Sequence, residues 1–368
     1  MALSRRQVLG GAAAGLGVAA LSLASAQSAT ADPGRIAATM RRARAVPGTA
    51  LVEPTDFPLT HLSLGWPASD GVPSVRLRKA ADWRPWQVVT GCDCGRDGGI
   101  GLRHGGLLVA SGVTGYEVSS PAGGVALGEI NVLDGPVLRA VGAPLTLTLG
   151  GLLLTGYRSR AAWGADESLR FDPKTGAETW PSEYYPVQAL TVHHTVTQLD
   201  DPDPAATVRG IYTDHAITRG YGDIGYHLLI DAAGTVYEGR WSGDDGLPVL
   251  GGPLGPNARP QMNTAGHVVG YNIGNVGIAL LGDFTDVAPT SAAVGSLVRV
   301  LALLSTLCGL DPKTTTTYAN PVNGNTATVQ TISGHRDWDA TACPGNKLYP
   351  LLPEIRRRAA SPTAVLLP

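Results

Sequence analysis

The feature that most constrains this chain is a change of hydrophobic period near Tyr157. From Asp56 to about Leu149, short apolar runs alternate at a period of two and are broken by Gly and Pro, as at 59–64, 75–78, 106–110 and 145–149. Successive strand side chains point to opposite faces, so this pattern specifies strands with one buried face. The expectation for 56–150 is a smaller β-rich, sandwich-like domain. Beyond Tyr157 the periods mix. Residues 189–192, 226–230, 235–238, 276–281 and 329–332 read as strands, and 205–217, 291–307 and 346–358 as helices. Asp203 is placed to cap the first helix, Pro204 suits its first turn, and Gly309 follows the second. The expected class for 156–358 is α/β, a central mixed sheet flanked by helices. Residues 32–55 read as a linker or short helix and 359–368 as a tail.

A chain of 368 residues with 43% hydrophobic composition holds two such cores. With net charge −2 and no long basic block, nothing points to nucleic acid. Residues 1–31 read as a removable export signal: Ser4-Arg5-Arg6-Gln7-Val8-Leu9 fits the twin-arginine pattern, 10–26 is weakly apolar, and Ala29-Thr30-Ala31 is a cleavage site. An N-terminal anchor is the alternative, but the stretch is short and diluted by Gly, where a span needs ~20 apolar residues. The expected location is outside the cell or at the wall, with no stable membrane span after cleavage. No other segment reads as a span.

Of four cysteines, Cys308 closes an apolar helix and reads as a buried small hydrophobe, whereas a Cys92–Cys94 bridge would be a strained small ring. His61 and His104 are isolated and read as structural. Trp83 and Trp86 are either a sugar platform or one core ring and one ring at its edge.

Three residues suit zinc, which takes His nitrogen and Cys sulfur and in catalytic sites keeps a fourth position for water. His193 or its neighbour His194 follows one strand and His335 ends another. Cys343 lies in Thr341-Ala342-Cys343-Pro344-Gly345, a tight turn expected just before a helix. The adjacent histidines point to opposite faces of a strand, so only one reaches the metal.

Five segments carry a resemblance over 157–357: SRAAWGADE from 159, VHHTVT from 192, GYGDIGYHLLIDAAGTVYEGR from 220, GHVVGYNIGNVGIALLGDF from 266 and SGHRDWDATACPG from 333. Together they resemble the type 2 N-acetylmuramoyl-L-alanine amidases, the family that includes the peptidoglycan recognition proteins and the phage T7 lysozyme amidase. The resemblance implies one zinc ion held by His193, His335 and Cys343, and a peptidoglycan or muropeptide substrate. It implies a catalytic tyrosine at Tyr226 and a catalytic position at Thr341, where the phage enzyme has lysine. It implies substrate contacts from His215, Tyr221, His267 and Asn272, and a structural role for Glu238-Gly239-Arg240. Gly220-Tyr221 leans towards diaminopimelate-type peptides, but Asn275 departs from the arginine frequent in such binders. Members that only bind typically lack the cysteine ligand. Its presence implies hydrolysis of the amide between N-acetylmuramic acid and L-alanine. The alternatives are a non-catalytic peptidoglycan-binding protein or a zinc hydrolase of another amide.

Overall fold

A computed structural model describes residues 36–361, apart from 54–55, 68–70, 93–94, 98–101, 122, 139–144, 150–151 and 244–246. The export signal and a Cys92–Cys94 bridge therefore lie outside the described residues.

The N-terminal module is β-rich. One antiparallel sheet runs Met40–Pro47, Gly124–Asn131, His61–Pro67, Leu102–Gly105, Gly91–Cys92; a second runs Ala50–Val52, Val113–Ser119, Ser74–Lys79, Asp82–Trp83. Leu62, Leu64 and Leu127 of the first meet Val75, Tyr116 and Val118 of the second in one buried cluster. The expected linker therefore contains a strand: Met40–Pro47 pairs along its whole length with Gly124–Asn131. The period was hidden because the better-buried positions of that strand include Arg42 and Arg44, which share the buried Glu129 carboxylate. Neither Trp is in the core. The Arg76 guanidinium lies 4.6 Å from the Trp83 ring and 4.8 Å from Trp86, which is 43% exposed.

The C-terminal module is built on a mixed sheet in the order Leu145–Leu149, Leu152–Arg158, Val236–Glu238, Leu228–Ile230, Asn275–Leu280, Ala189–His194, Ile332–Gly334. The last four run parallel to one another. Leu145–Leu149 was expected in the N-terminal domain but pairs antiparallel with Leu152–Arg158. Period two identifies a strand and is silent on which sheet it joins.

The helix Ser291–Cys308 covers one face, capped by Thr290 and closed by Gly309 in the left-handed conformation. By length and composition it is apolar enough to cross a membrane, contrary to the expectation above; Leu297, Val298, Leu301 and Leu304 bury it against the sheet. The helix Pro204–Thr213, capped by Asp203, covers the other face and runs into a π-helical turn, Asp214–Thr218. Its cluster includes Leu107, Ile130 and Val132, so the two modules share packed apolar surface. The final helix starts only at Leu352, after the turn Tyr349–Leu351, so Cys343 does not sit at a helix N-terminus.

Candidate metal centre

Ala189–His194 lies inside the sheet with neighbours on both edges. Leu190 and Val192 enter the core beneath Ser291–Cys308, which turns Thr191 and His193 to the opposite face. His194 points away: its Nδ1 accepts from the Phe284 N–H at 3.2 Å. The parallel pairing of Val192 with Gly334 brings His335, the next residue, alongside His193, with ring centroids 4.6 Å apart.

His335 opens the turn His335–Asp337. Asp337 shapes that turn, accepting from the Gly334 N–H at 2.8 Å and from the Tyr349 hydroxyl, and Asp339 accepts from the Ala340 N–H. Neither carboxylate touches the imidazole: both His335 ring nitrogens are buried without a partner. The Cys343 N–H donates to Thr341 Oγ1 at 3.2 Å, and the Cys343 carbonyl accepts from the Arg336 N–H at 3.1 Å. Gly345 lets this loop close, because its φ is +97° and a Cβ there would stand 2.4 Å from the Phe284 carbonyl carbon.

One ligand atom from each of His193, His335 and Cys343 falls within 4.8 Å of the others, all buried. Cys343 Sγ and His193 Nδ1 are 3.7 Å apart. Tetrahedral Zn–S and Zn–N bonds of ~2.3 and ~2.1 Å place such donors ~3.6 Å apart. A thiol and two histidines, one of them with both ring nitrogens buried and unpartnered, therefore fit zinc.

His267 decides which His193 nitrogen faces the sulfur. Its Nε2 lies 2.9 Å from the Asn275 carbonyl, which can only accept, so Nε2 carries the proton and Nδ1 is a lone pair. That lone pair is 3.0 Å from His193 Nε2, which must then be the protonated nitrogen. His193 Nδ1 is left as a lone pair on the cysteine side. Burial keeps the rings neutral, holding His193 well below the usual histidine range, His267 at about 4 and His335 at about 3. Gly277 makes room, since a Cβ there would stand 2.5 Å from the His267 ring. Sequence reasoning took His267 for a substrate contact; a carbonyl eight residues along the chain carried no signal.

Tyr226 is beside the cluster, its ring centroid 5.4 Å from that of His193. Burial raises its phenol pKa and keeps it a proton donor. Thr341 is half-buried, its oxygen holding the Cys343 backbone. The four residues expected to contact substrate, His215, Tyr221, His267 and Asn272, are all buried. His215 Nδ1 accepts from the Gly225 N–H at 2.9 Å, and Asn272 Oδ1 accepts from the His267 and Val268 N–H groups. The match of positions carried residue identity but not what lies on top of them.

The family model for N-acetylmuramoyl-L-alanine amidase matches residues 183–346, which contain all three donors. This chain carries an amidase-family domain. The human N-acetylmuramoyl-L-alanine amidase is 30% identical over 174 residues, 45% of this chain and 24% of that protein. A peptidoglycan recognition protein of Trichoplusia ni is 29% identical over 175 residues, 47% of this chain and 75% of that one. The chain thus spans about a quarter of the human relative's length. The structure of Drosophila PGRP-LB wild-type matches with TM-score 0.37 and 24% identity, over 53% of this chain and 90% of that one. Glu238 and Arg240 of the amidase-family domain hold the scaffold: Glu238 accepts from Tyr157 and the Arg160 N–H, and Arg240 pairs with buried Asp223.

Proposed function

We propose that the protein is a zinc-dependent N-acetylmuramoyl-L-alanine amidase, cutting the amide between N-acetylmuramic acid and L-alanine of the stem peptide. The observation that carries the reading is the intact donor set, above all His335 with both ring nitrogens buried and unpartnered next to the Cys343–His193 pair. A binding protein has no need of such a set, and leaving a polar group buried without a partner costs ~1–3 kcal/mol.

His193, through Nδ1, His335 and Cys343 would hold the ion. Zinc so bound lowers the pKa of a coordinated water towards ~7 and polarises a carbonyl oxygen. Tyr226 offers a phenol O–H kept protonated by burial, to stabilise negative charge growing on the amide oxygen. Thr341 Oγ1, occupied as an acceptor from the Cys343 N–H, keeps its own proton free to donate towards the same oxygen. Hydrolysis breaks the C–N bond, leaves the lactyl group as a carboxylate and gives the alanine nitrogen its proton. The twin-arginine pattern supports export, so the proposed location is outside the cell or at the wall.

Purified peptidoglycan incubated with and without chelator tests the reading. Metal-dependent release of stem peptides without new reducing sugar ends is expected. Binding without peptide release would favour a recognition protein, the activity named for the moth relative.

A further inference from the structure

The two modules meet along a cleft that lies outside the metal centre. Its volume is about 360 Å³, within the range of small-ligand sites. One wall is N-terminal: Gln87–Val88, paired with Ser74–Lys79 of the second sheet, and Leu108–Val109, paired with His61–Pro67 of the first. The other wall belongs to the amidase-family domain, through Val196, Thr197, Gln198 and Asp283. These residues follow Ala189–His194 and Asn275–Leu280, so they stand at the carboxyl ends of two neighbouring parallel strands. His193 and His335 stand at the same end of the sheet, the end at which open α/β sheets take their ligands.

Cleft and centre are joined through His194. Its backbone N–H donates to Cys343 Sγ at 3.4 Å, and its Nδ1 lies 3.7 Å from Asp283 Oδ1. The wall is also strained. Val196 has φ +55°, a left-handed backbone that a β-branched residue rarely adopts. Its N–H donates to the Gly282 carbonyl at 3.0 Å, and Gly106 closes on it from the N-terminal module: a Cβ there would stand 2.6 Å from the Val196 carbonyl oxygen. Strain of this kind persists where the surroundings over-determine it, and it clusters at ligand sites.

The groups in the walls decide what the cleft selects. Among the described residues lining it, Asp283 is the one charge. The Thr285 N–H and hydroxyl both donate to Asp283 Oδ1, at 3.0 and 2.7 Å, which leaves Oδ2 to accept from a ligand. Gln87 offers an amide that donates and accepts, and so does Gln198, held by the Asp200 carbonyl at 2.9 Å. Val88, Leu108 and Val109 add aliphatic surface, and Trp86, the residue before Gln87, is 43% exposed. A carboxylate without a cation beside it repels the free carboxylates of a stem peptide. Sugar hydroxyls and acetamido groups pair with amides and a carboxylate, and the apolar face of a pyranose ring lies on aliphatic and aromatic side chains. We propose that this cleft is a saccharide subsite, which holds a neutral N-acetylated sugar of the glycan strand, and that the role of the N-terminal module is to supply half of it. That the sugar belongs to peptidoglycan rests on the amidase reading; the saccharide class does not.

Calorimetric titration of the full-length chain tests it, with chelator present to prevent turnover. The probe is chitin tetrasaccharide, which is neutral and N-acetylated. Saturable binding to the parent is expected. Gln87→Ala, on the N-terminal wall, is expected to weaken it about two- to tenfold, the scale of one neutral hydrogen bond. Asp283→Ala, on the opposite wall, is expected to weaken it about tenfold or more, the scale of a hydrogen bond to a charged group. Thermal melting confirms that each variant is folded, and the exposed Gln87 carries the test if Asp283→Ala is not. No binding by the parent, or unchanged binding in either folded variant, would overturn the subsite. So would binding of a free stem peptide that the same variants weaken, which would assign the cleft to peptides. Saccharide binding weakened by these variants, in a protein that releases no peptide when loaded with zinc, would instead sink the amidase reading and leave the subsite standing.

Discussion

Removing His267 tests the hydrogen-bond chain behind the metal centre. His267 is fully buried, accepts from His193 Nε2–H at 3.0 Å and donates to the Asn275 carbonyl at 2.9 Å. His267→Leu keeps the volume and deletes both bonds. His193 then has an orphaned N–H and no fixed tautomer, so its Nδ1 is no longer always the free lone pair. Loss of a partner that orients a metal-bound histidine typically costs 10–100-fold in affinity, or ~1.4–2.7 kcal/mol. The stranded donor and carbonyl add a stability loss of ~1–3 kcal/mol each if water does not reach them. The assay is a competitive zinc titration of the full chain, with thermal melting to confirm that the variant is folded. His267→Gln retains an acceptor and a donor and is expected to recover part of the affinity. A folded His267→Leu protein with unchanged zinc affinity would refute the reasoning. Equal loss in both variants would assign the effect to packing rather than to the proton chain.

The remaining predictions concern single links in the same argument. Cys343→Ala is expected to reduce zinc binding to less than one ion per chain and abolish peptide release; stoichiometric zinc with full turnover would count against the ligand set. Tyr226→Phe is expected to keep the zinc but lower kcat ~10²–10³-fold, the usual cost of losing one donor to a developing oxyanion, with little change in KM. Asp223 is buried between Arg160 and Arg240, each 2.9 Å away, so Asp223→Ala strands two guanidinium groups and is expected to cost ~3–5 kcal/mol in chemical denaturation. Burial alone would raise the Asp223 pKa, but the two arginines hold it below the ordinary carboxylate value. Its contribution is therefore complete at neutral pH and lost as pH falls below ~4. Parent stability that did not decline in acid would contradict that sign.

The donor set was legible in the sequence through the family resemblance, which joined His193, rather than His194, to His335 and Cys343. Residue type and the strand pattern, which put His193 and His335 at strand ends, by themselves left only scattered candidates. The change of period at Tyr157 likewise separated a β-rich module from an α/β one, since side-chain direction in strands and helices is a local property. What depends on non-local pairing was not legible. Met40–Pro47 looked like a linker because its partner for two inward arginines, Glu129, lies more than eighty residues away. Leu145–Leu149 showed its strand period but not its sheet. His267 and Asn272 were visible as polar residues near the site, yet only the packed structure turned the first behind His193 and laid Gly95–Asp97 on the second. Residue type, period and the family resemblance together named the residues that could hold a metal. The fold decided which nitrogen faces the metal position, because that is set by contacts between segments that the chain order keeps apart.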